Sequence, residues 1–223
     1  MSNSMKKIII VLLCLIMCGC ASKTDIQGRL DGVFADELTK KFFRKNNYSA
    51  YIDYYVPSDI YEIKRDTLSS SYEYNNAKLV MNVNVAGIIS AKYYPETVFL
   101  DEGFFDQGKL VYQHTSELLN YDDEYNTFRY LVYEYEDRYL VYFLSRDLVF
   151  YGYCDGYDLE GVTAKILQMV KSANVKRDDV VINYSSKDVI DYEKKQVNLF
   201  ETTMPVNGNI NDFLITPGDS TAE

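Results

Sequence analysis

The single histidine, His114, and the internal cysteine Cys154 are the side chains that base or nucleophile chemistry would recruit first. Their surroundings argue for packing instead. His114 stands in the strand-like run Val111-Tyr112-Gln113-His114-Thr115, and one imidazole cannot build the histidine cluster that zinc favours. No Gly-x-Ser-x-Gly elbow is present to draw it into a serine hydrolase. Cys154, in Gly152-Tyr153-Cys154-Asp155, reads as a small apolar side chain within a sheet rather than a thiolate partner for His114. The densest carboxylate sets are Glu134, Glu136 and Asp137, and Asp155, Asp158 and Glu160, and turns or a helix cap account for both. The second set lies in Asp155-Gly156-Tyr157-Asp158-Leu159-Glu160-Gly161, which lacks the alternating oxygen ligands and distal glutamate of an EF-hand. Walker lysine, dinucleotide glycines and Cys-x-x-Cys are also missing, so neither a metal nor an organic cofactor is expected.

The amino terminus carries a different chemistry. Lys6 and Lys7 precede an unbroken apolar run over residues 8–17, the charged and hydrophobic regions of a secretory signal. The stretch is uncharged only as far as Ser22, short of the roughly 18 or more residues a helix needs to cross the hydrocarbon core. A permanent single span is therefore the weaker alternative. Met17-Cys18-Gly19-Cys20 resembles the lipobox of bacterial lipoproteins, with small Gly19 beside the cleaved bond and Met17 in place of the commoner leucine. The resemblance implies removal of residues 1–19 with Cys14 and Cys18, and lipid attachment through a diacylglyceryl thioether on Cys20. A further acyl chain (palmitate in many members) on the new amino group would make the anchor stable, since each buried methylene contributes about 0.8 kcal/mol. The expected location is the extracytoplasmic face of the cell membrane.

Composition narrows the partners. Without Lys6 and Lys7, 21 bases face 33 acids, a mature charge of −12 that is unsuited to nucleic acid. The basic clusters Lys40-Lys41 with Arg44-Lys45, and Lys194-Lys195, read as solvated helix faces. After processing only Cys20 and Cys154 remain, so no internal disulfide is available. Tyrosine is over-represented, 22 residues against 11 Phe and no Trp, and its placement in strands suits a half-buried sheet.

The elements that would carry these residues follow from periodicity. After a polar tether over residues 22–29, Phe34, Leu38 and Phe42 predict an amphipathic helix within 33–43, acidic at its start and basic at its end. From Tyr48 the period is two, predicting one strand through Val56 that Pro57 stops. Strands follow over 60–65, 71–74 and 78–89. Residues 93–106 form an aromatic, irregular loop of the kind that carries binding. A strand over 109–120 and a turn over 121–126 precede the clearest pattern in the chain. There, residues 128–153 form three runs broken at 136–138 and 145–147, an antiparallel meander. Asp158 is placed to cap a helix over 159–172 that lies on one sheet face. A short strand over 180–184, a helix start at 185–188 and a thin, disordered end complete the chain.

The expected fold class is α+β, an antiparallel sheet with a long meander packed by an N-terminal and a C-terminal helix. Its segments are a signal peptide (1–19), an anchored tether with amphipathic helix (20–46), the domain (47–176) and a C-terminal extension (177–223). This order of elements over 47–176, with Tyr54-Tyr55-Val56-Pro57-Ser58, resembles the Mog1/PsbP-like group. The resemblance implies a helix-on-sheet sandwich used for docking or assembly, and it transfers no functional residues. The leading expectation is a non-enzymatic lipoprotein that docks an envelope protein. The alternatives are a tyrosine-lined lipoprotein that binds peptide or glycan, and a hydrolase that uses acids alone.

Overall fold

A computed structural model describes residues 25–93, 108–121 and 124–185. The chain is α+β. Helix α1 (Ile26–Thr39) opens on Asp25, whose Oδ1 accepts the Gly28 N–H at 3.0 Å. It starts earlier than the spacing of Phe34, Leu38 and Phe42 suggested, because Ile26 and Leu30 extend the same apolar face upstream into the stretch read as tether. It also stops earlier, at Thr39, and has neither acids in its first turn nor bases in its last. The buried ammonium of Lys171 sets that stop. Its Nζ donates to the carbonyls of Glu37 (2.5 Å), Leu38 (3.3 Å) and Lys40 (2.5 Å), supplying charged donors to orphaned helix-end acceptors.

Lys40 turns the chain into extended backbone, and a small hairpin follows: β1 (Asn47–Tyr48) and β2 (Ile52–Tyr54). The single strand expected over 48–56 is broken because Ser49 N–H and Oγ both bond the Ile52 carbonyl and close a tight turn. A third short strand, absent from the sequence reading, is β10 (Asn174–Val175), which pairs with β2.

The main sheet is antiparallel throughout, with strands β3 (Tyr61–Arg65), β4 (Ser69–Tyr74), β5 (Ala77–Val83), β6 (Lys109–Leu119), β7 (Tyr125–Tyr135), β8 (Arg138–Ser145) and β9 (Leu148–Cys154). Their order is β3-β4-β5-β9-β8-β7-β6, two meanders joined where β5 pairs β9. Two-residue turns at Asn75-Asn76 and Glu136-Asp137 place Asn75 (φ 51°) and Glu136 (φ 55°) in the left-handed region, which Asn tolerates far better than Glu.

The strand expected over 78–89 is half helix, because Asn84 intervenes after β5. Its Oδ1 takes the Gly87 N–H at 2.9 Å and its amide donates to the Ser145 carbonyl at 2.8 Å, starting α2 (Val85–Tyr93). Residues 94–107, most of the expected aromatic loop, lie outside the described residues. Helix α3 (Leu159–Ser172) matches expectation, but Asp158 makes no side-chain cap; its Oδ1 instead accepts from Asn75 at 2.7 Å. Residues expected as a strand over 180–184 end α4 (Arg177–Tyr184), a helix with Asp178 and Asp179 in its first turn. The helix start expected at 185–188 has only Ser185 among the described residues, and Lys194-Lys195 lies beyond them.

Helices α1 and α3 cover one sheet face. Leu30 and Phe34 meet Phe128, Phe143, Phe150, Val162, Ile166 and Met169 in one core. Gly152 lets its two cross-strand neighbours close over it: a Cβ there would lie 2.4 Å from Val141 Cγ2 and 2.7 Å from Leu79 Cδ2. The packed unit extends beyond 47–176 at both ends, since α1 and the buried Val180 and Val181 of α4 share this core. The opposite face is apolar too, with Val80, Leu131, Tyr133, Leu140, Tyr142, Leu144, Val149 and Tyr151 buried together.

Replacing Lys171 by Met keeps the stem and removes the charge. It is expected to lower unfolding free energy by about 3 kcal/mol, measured by urea titration with far-ultraviolet circular dichroism. A loss under about 0.5 kcal/mol would mean that water serves these carbonyls equally well.

Candidate docking surface

His114 and Cys154 are both engaged in packing, while Glu136 and Asp137 sit exposed in the β7–β8 turn. His114, on β6, stacks on Phe34 of α1 with centroids 4.1 Å apart and planes 12° from parallel. Its Nε2 has no hydrogen-bond partner, and burial pulls its pKa below the ordinary value. Nearby, the Tyr112 hydroxyl donates to Asp31 Oδ1 at 2.8 Å, which ties α1 to β6. Cys154 is fully buried and its thiol is pushed up to about 12 by desolvation, the reverse of a reactive cysteine. Asp155 pairs with Arg138 at 2.8 Å, and Glu160 with Arg29 at 2.8 Å. Among the described residues no group of His, Cys, Asp or Glu could hold a metal ion.

The same pairings give the helical layer a direction. Arg29, in the first turn of α1, bonds Glu160 in the first turn of α3 and, at 3.1 Å, the Gly156 carbonyl. Lys171, in the last turn of α3, holds the last turn of α1. The two helices therefore run parallel. Asp25 marks one pole of the domain, beside Gly156, and Lys40 the other, about 21 Å of helix away.

At the Lys40 pole the chain displays an aromatic and basic surface. Residues 40–45 read Lys-Lys-Phe-Phe-Arg-Lys, without an acid. Lys40 is occupied by Asp36 and by buried Glu37 (2.8 Å to Oε1). Lys41 and Arg44 are exposed. Phe42 tilts against Tyr121 at 6.3 Å, and the Lys45 ammonium stands 3.4 Å from the same ring's centroid. Phe43 stacks on Tyr55 at 4.7 Å and 14°. Phe43 remains 37% exposed, Tyr121 47% and Tyr48 63%. These bases were expected along a helix face. They lie in a loop because α1 ends at Thr39, a stop that a tertiary contact imposes and that the spacing of Leu38 and Phe42 conceals.

A clamp stabilises the ground beside this surface. Arg177 donates to Asp147 Oδ1 and Oδ2 at 2.7 Å each and to Glu124 Oε2 at 2.6 Å, fastening α4 to the β6–β7 and β8–β9 turns. The Arg177 guanidinium holds Glu124 below the usual carboxylate range. Nothing in the sequence pairs these residues, which are 53 and 30 positions from Arg177. A cavity of about 10 Å³ between Asn120, Asn126, Asp147 and Val170 has room for no more than a water.

Cys20 and the whole export segment lie outside the described residues. Among the described residues no helix is long and apolar enough to cross a membrane. No family model matches the chain, and no curated protein matches it. A solved structure from Bacteroides thetaiotaomicron is similar over 61% of this chain at 9% identity, with a TM-score of 0.26. The chain spans about half the length of that structure, matching 49% of it, and a similarity this slight says nothing about the fold.

The position of His114 has a consequence for stability. Its folded-state pKa lies below the unfolded value, so the unfolded chain binds the extra proton. Stability is then full above the unfolded pKa of about 6.5 and falls as pH drops from there through the folded value. His114→Phe, which keeps the stack on Phe34, is expected to flatten that part of the melting temperature against pH curve. An unchanged slope between pH 7 and 5 in the variant would assign it to other groups.

Proposed function

We propose that the protein is a lipid-anchored extracytoplasmic lipoprotein whose folded domain is a non-enzymatic docking module, with its docking surface at the pole away from the anchor. The observation that carries this reading is the direction of α1. Its first residue is six positions from Cys20, and at extended spacing those six steps reach about 22 Å at most. Lipid on Cys20 therefore keeps the Asp25 pole close to the membrane, and the 14-residue helix carries the Phe42, Phe43 and Tyr121 surface toward its far end. Partly exposed Phe43, Tyr48 and Tyr121 beside exposed Arg44 are residue types enriched at protein interfaces. The stacking of half-buried His114 on Phe34 and the burial of Cys154 support docking over catalysis. The helix-on-sheet arrangement is compatible with the Mog1/PsbP-like group, in which such domains serve assembly.

Two measurements on natively expressed protein test the two halves. Intact mass and membrane partitioning are compared with those of Cys20→Ala; wild type should carry the mass of a diacylglyceryl group and the variant should remain unprocessed. Unprocessed wild-type mass would make residues 8–17 a true membrane anchor. Orientation is read by labelling Arg44→Cys and Tyr157→Cys with a membrane-impermeant maleimide on intact cells, where buried Cys154 contributes little background. Tyr157 is exposed at the Asp25 pole, so position 44 should label at least as fast as position 157. A protected position 44 beside an open position 157 would place the anchor and the surface on the same side.

A further inference from the structure

We propose that the apolar face of the large sheet turned away from α1 and α3 is an internal docking surface, occupied by this chain's own residues 94–107. Burial is the first support. Leu131 is fully buried on this face and Tyr142 is 3% exposed, yet no helix among the described residues contributes a side chain to their cluster. An antiparallel sheet with one bare face offers water polar side chains and leaves them partly open, so apolar burial this complete requires a covering layer.

The outline of the buried area indicates what covers it. One cross-strand row runs from Asn82 on β5 through Val149 and Leu144 to Arg129 on β7, at the end of the sheet where α2 departs. Asn82 is 3% exposed there, whereas Arg129 is only half-buried. At the other end of the sheet, the row from Lys78 on β5 to Tyr133 on β7 is graded the opposite way, with Lys78 exposed and Tyr133 6% exposed. The covered band is therefore diagonal, from the end of β5 to the side of β7 against which β6 begins.

Connectivity demands a chain along that diagonal. With β9, β8 and β7 between them and every neighbour antiparallel, β5 and β6 run parallel, so the chain must return along the sheet before β6 starts. Four strand spacings and an 11-residue strand make that diagonal about 40 Å. From Tyr93 to Lys109 there are 16 steps, a reach of about 58 Å at full extension. A route outside α1 and α3 adds at least a helix diameter, about 10 Å, on the way out and again on the way back, which takes up that whole reach. The composition suits the apolar face: Val98, Phe99, Leu100, Phe104 and Phe105 lie within 94–107. Residues 186–223 are long enough to reach the same face, but no connection ties them to this diagonal. The aromatic segment thus has its partner within the molecule, and Tyr133, Tyr142 and Tyr151 serve that contact rather than a peptide or glycan. This inference does not depend on the lipid anchor.

The full chain has no tryptophan, so Phe99→Trp and Phe104→Trp, made singly, each report one position. Both should emit further to the blue than in the urea-unfolded chain and resist quenching by acrylamide. In a second experiment, p-benzoylphenylalanine replaces Tyr142 or, separately, Tyr133, and irradiation should capture a peptide from 94–107 of the same chain, read by mass spectrometry of the digest. Capture of a peptide from 186–223, capture of a second copy, or no capture at either position would overturn the proposal. So would water-exposed emission from both tryptophans in chains whose circular dichroism is that of the folded protein.

Discussion

One ammonium under the end of one helix organises this molecule. Lys171 reaches from α3 to the carbonyls of Glu37, Leu38 and Lys40, and burial pulls its pKa downward while the neighbouring Glu37 carboxylate opposes that shift. A buried cation is costly unless its hydrogen-bonding capacity is used, and three carbonyl acceptors use it. The contact stops α1, aligns it with α3 and releases residues 40–45 as a loop. Glu37 completes the arrangement, accepting from Lys40 at 2.8 Å and from Gln168 at 3.0 Å.

Beneath the helices, the sheet consumes tyrosine in the way its abundance foreshadows, and on both faces. Tyr130 reaches across the interface to Thr163 of α3 at 2.7 Å, and the hydroxyls of Tyr54 and Tyr72 bond each other between the small and large sheets. Tyr133, Tyr142 and Tyr151 lie on the opposite face. A ring with a polar tip can be buried deeply when that tip finds a partner, so one residue type provides both core area and cross-element ties. Among the described residues, whose one cysteine, Cys154, is free, such ties take over part of the fastening between elements.

Electrostatics divides the domain. At the Asp25 pole, acids and bases cancel in short pairs, Arg29 with Glu160 and Arg138 with Asp155. At the Lys40 pole, Arg177, Asp147, Glu124 and Arg146 form a closed network beside a loop whose Lys41 and Arg44 are exposed. Pairs of the first kind are only partly screened by solvent, since Arg138 and Asp155 keep 22% and 28% of their side-chain surface exposed. The network around largely buried Asp147 is better placed to hold α4, and so the neighbouring surface, in position.

The sequence by itself determined the fold class, the three-run meander now seen as β7 to β9, and the helix over 159–172. In each, hydrophobic periodicity of 2 or 3.6 runs long enough to dominate local alternatives. It also determined that His114 and Cys154 belong to strands, from their apolar neighbours. Where local patterns were short or shared, tertiary contacts decided. Ser49 split an alternating run into a hairpin, Asn84 bent a strand into α2, and residues 180–184 became helix because Val180 and Val181 had a core to meet. The end of α1 belongs to the same class: Leu38 and Phe42 keep helical spacing, yet an ammonium 131 residues from Lys40 ends the helix first. Periodicity reports which face a residue offers to a partner. Which partner arrives, and where it interrupts the backbone, depends on contacts between residues far apart in the chain.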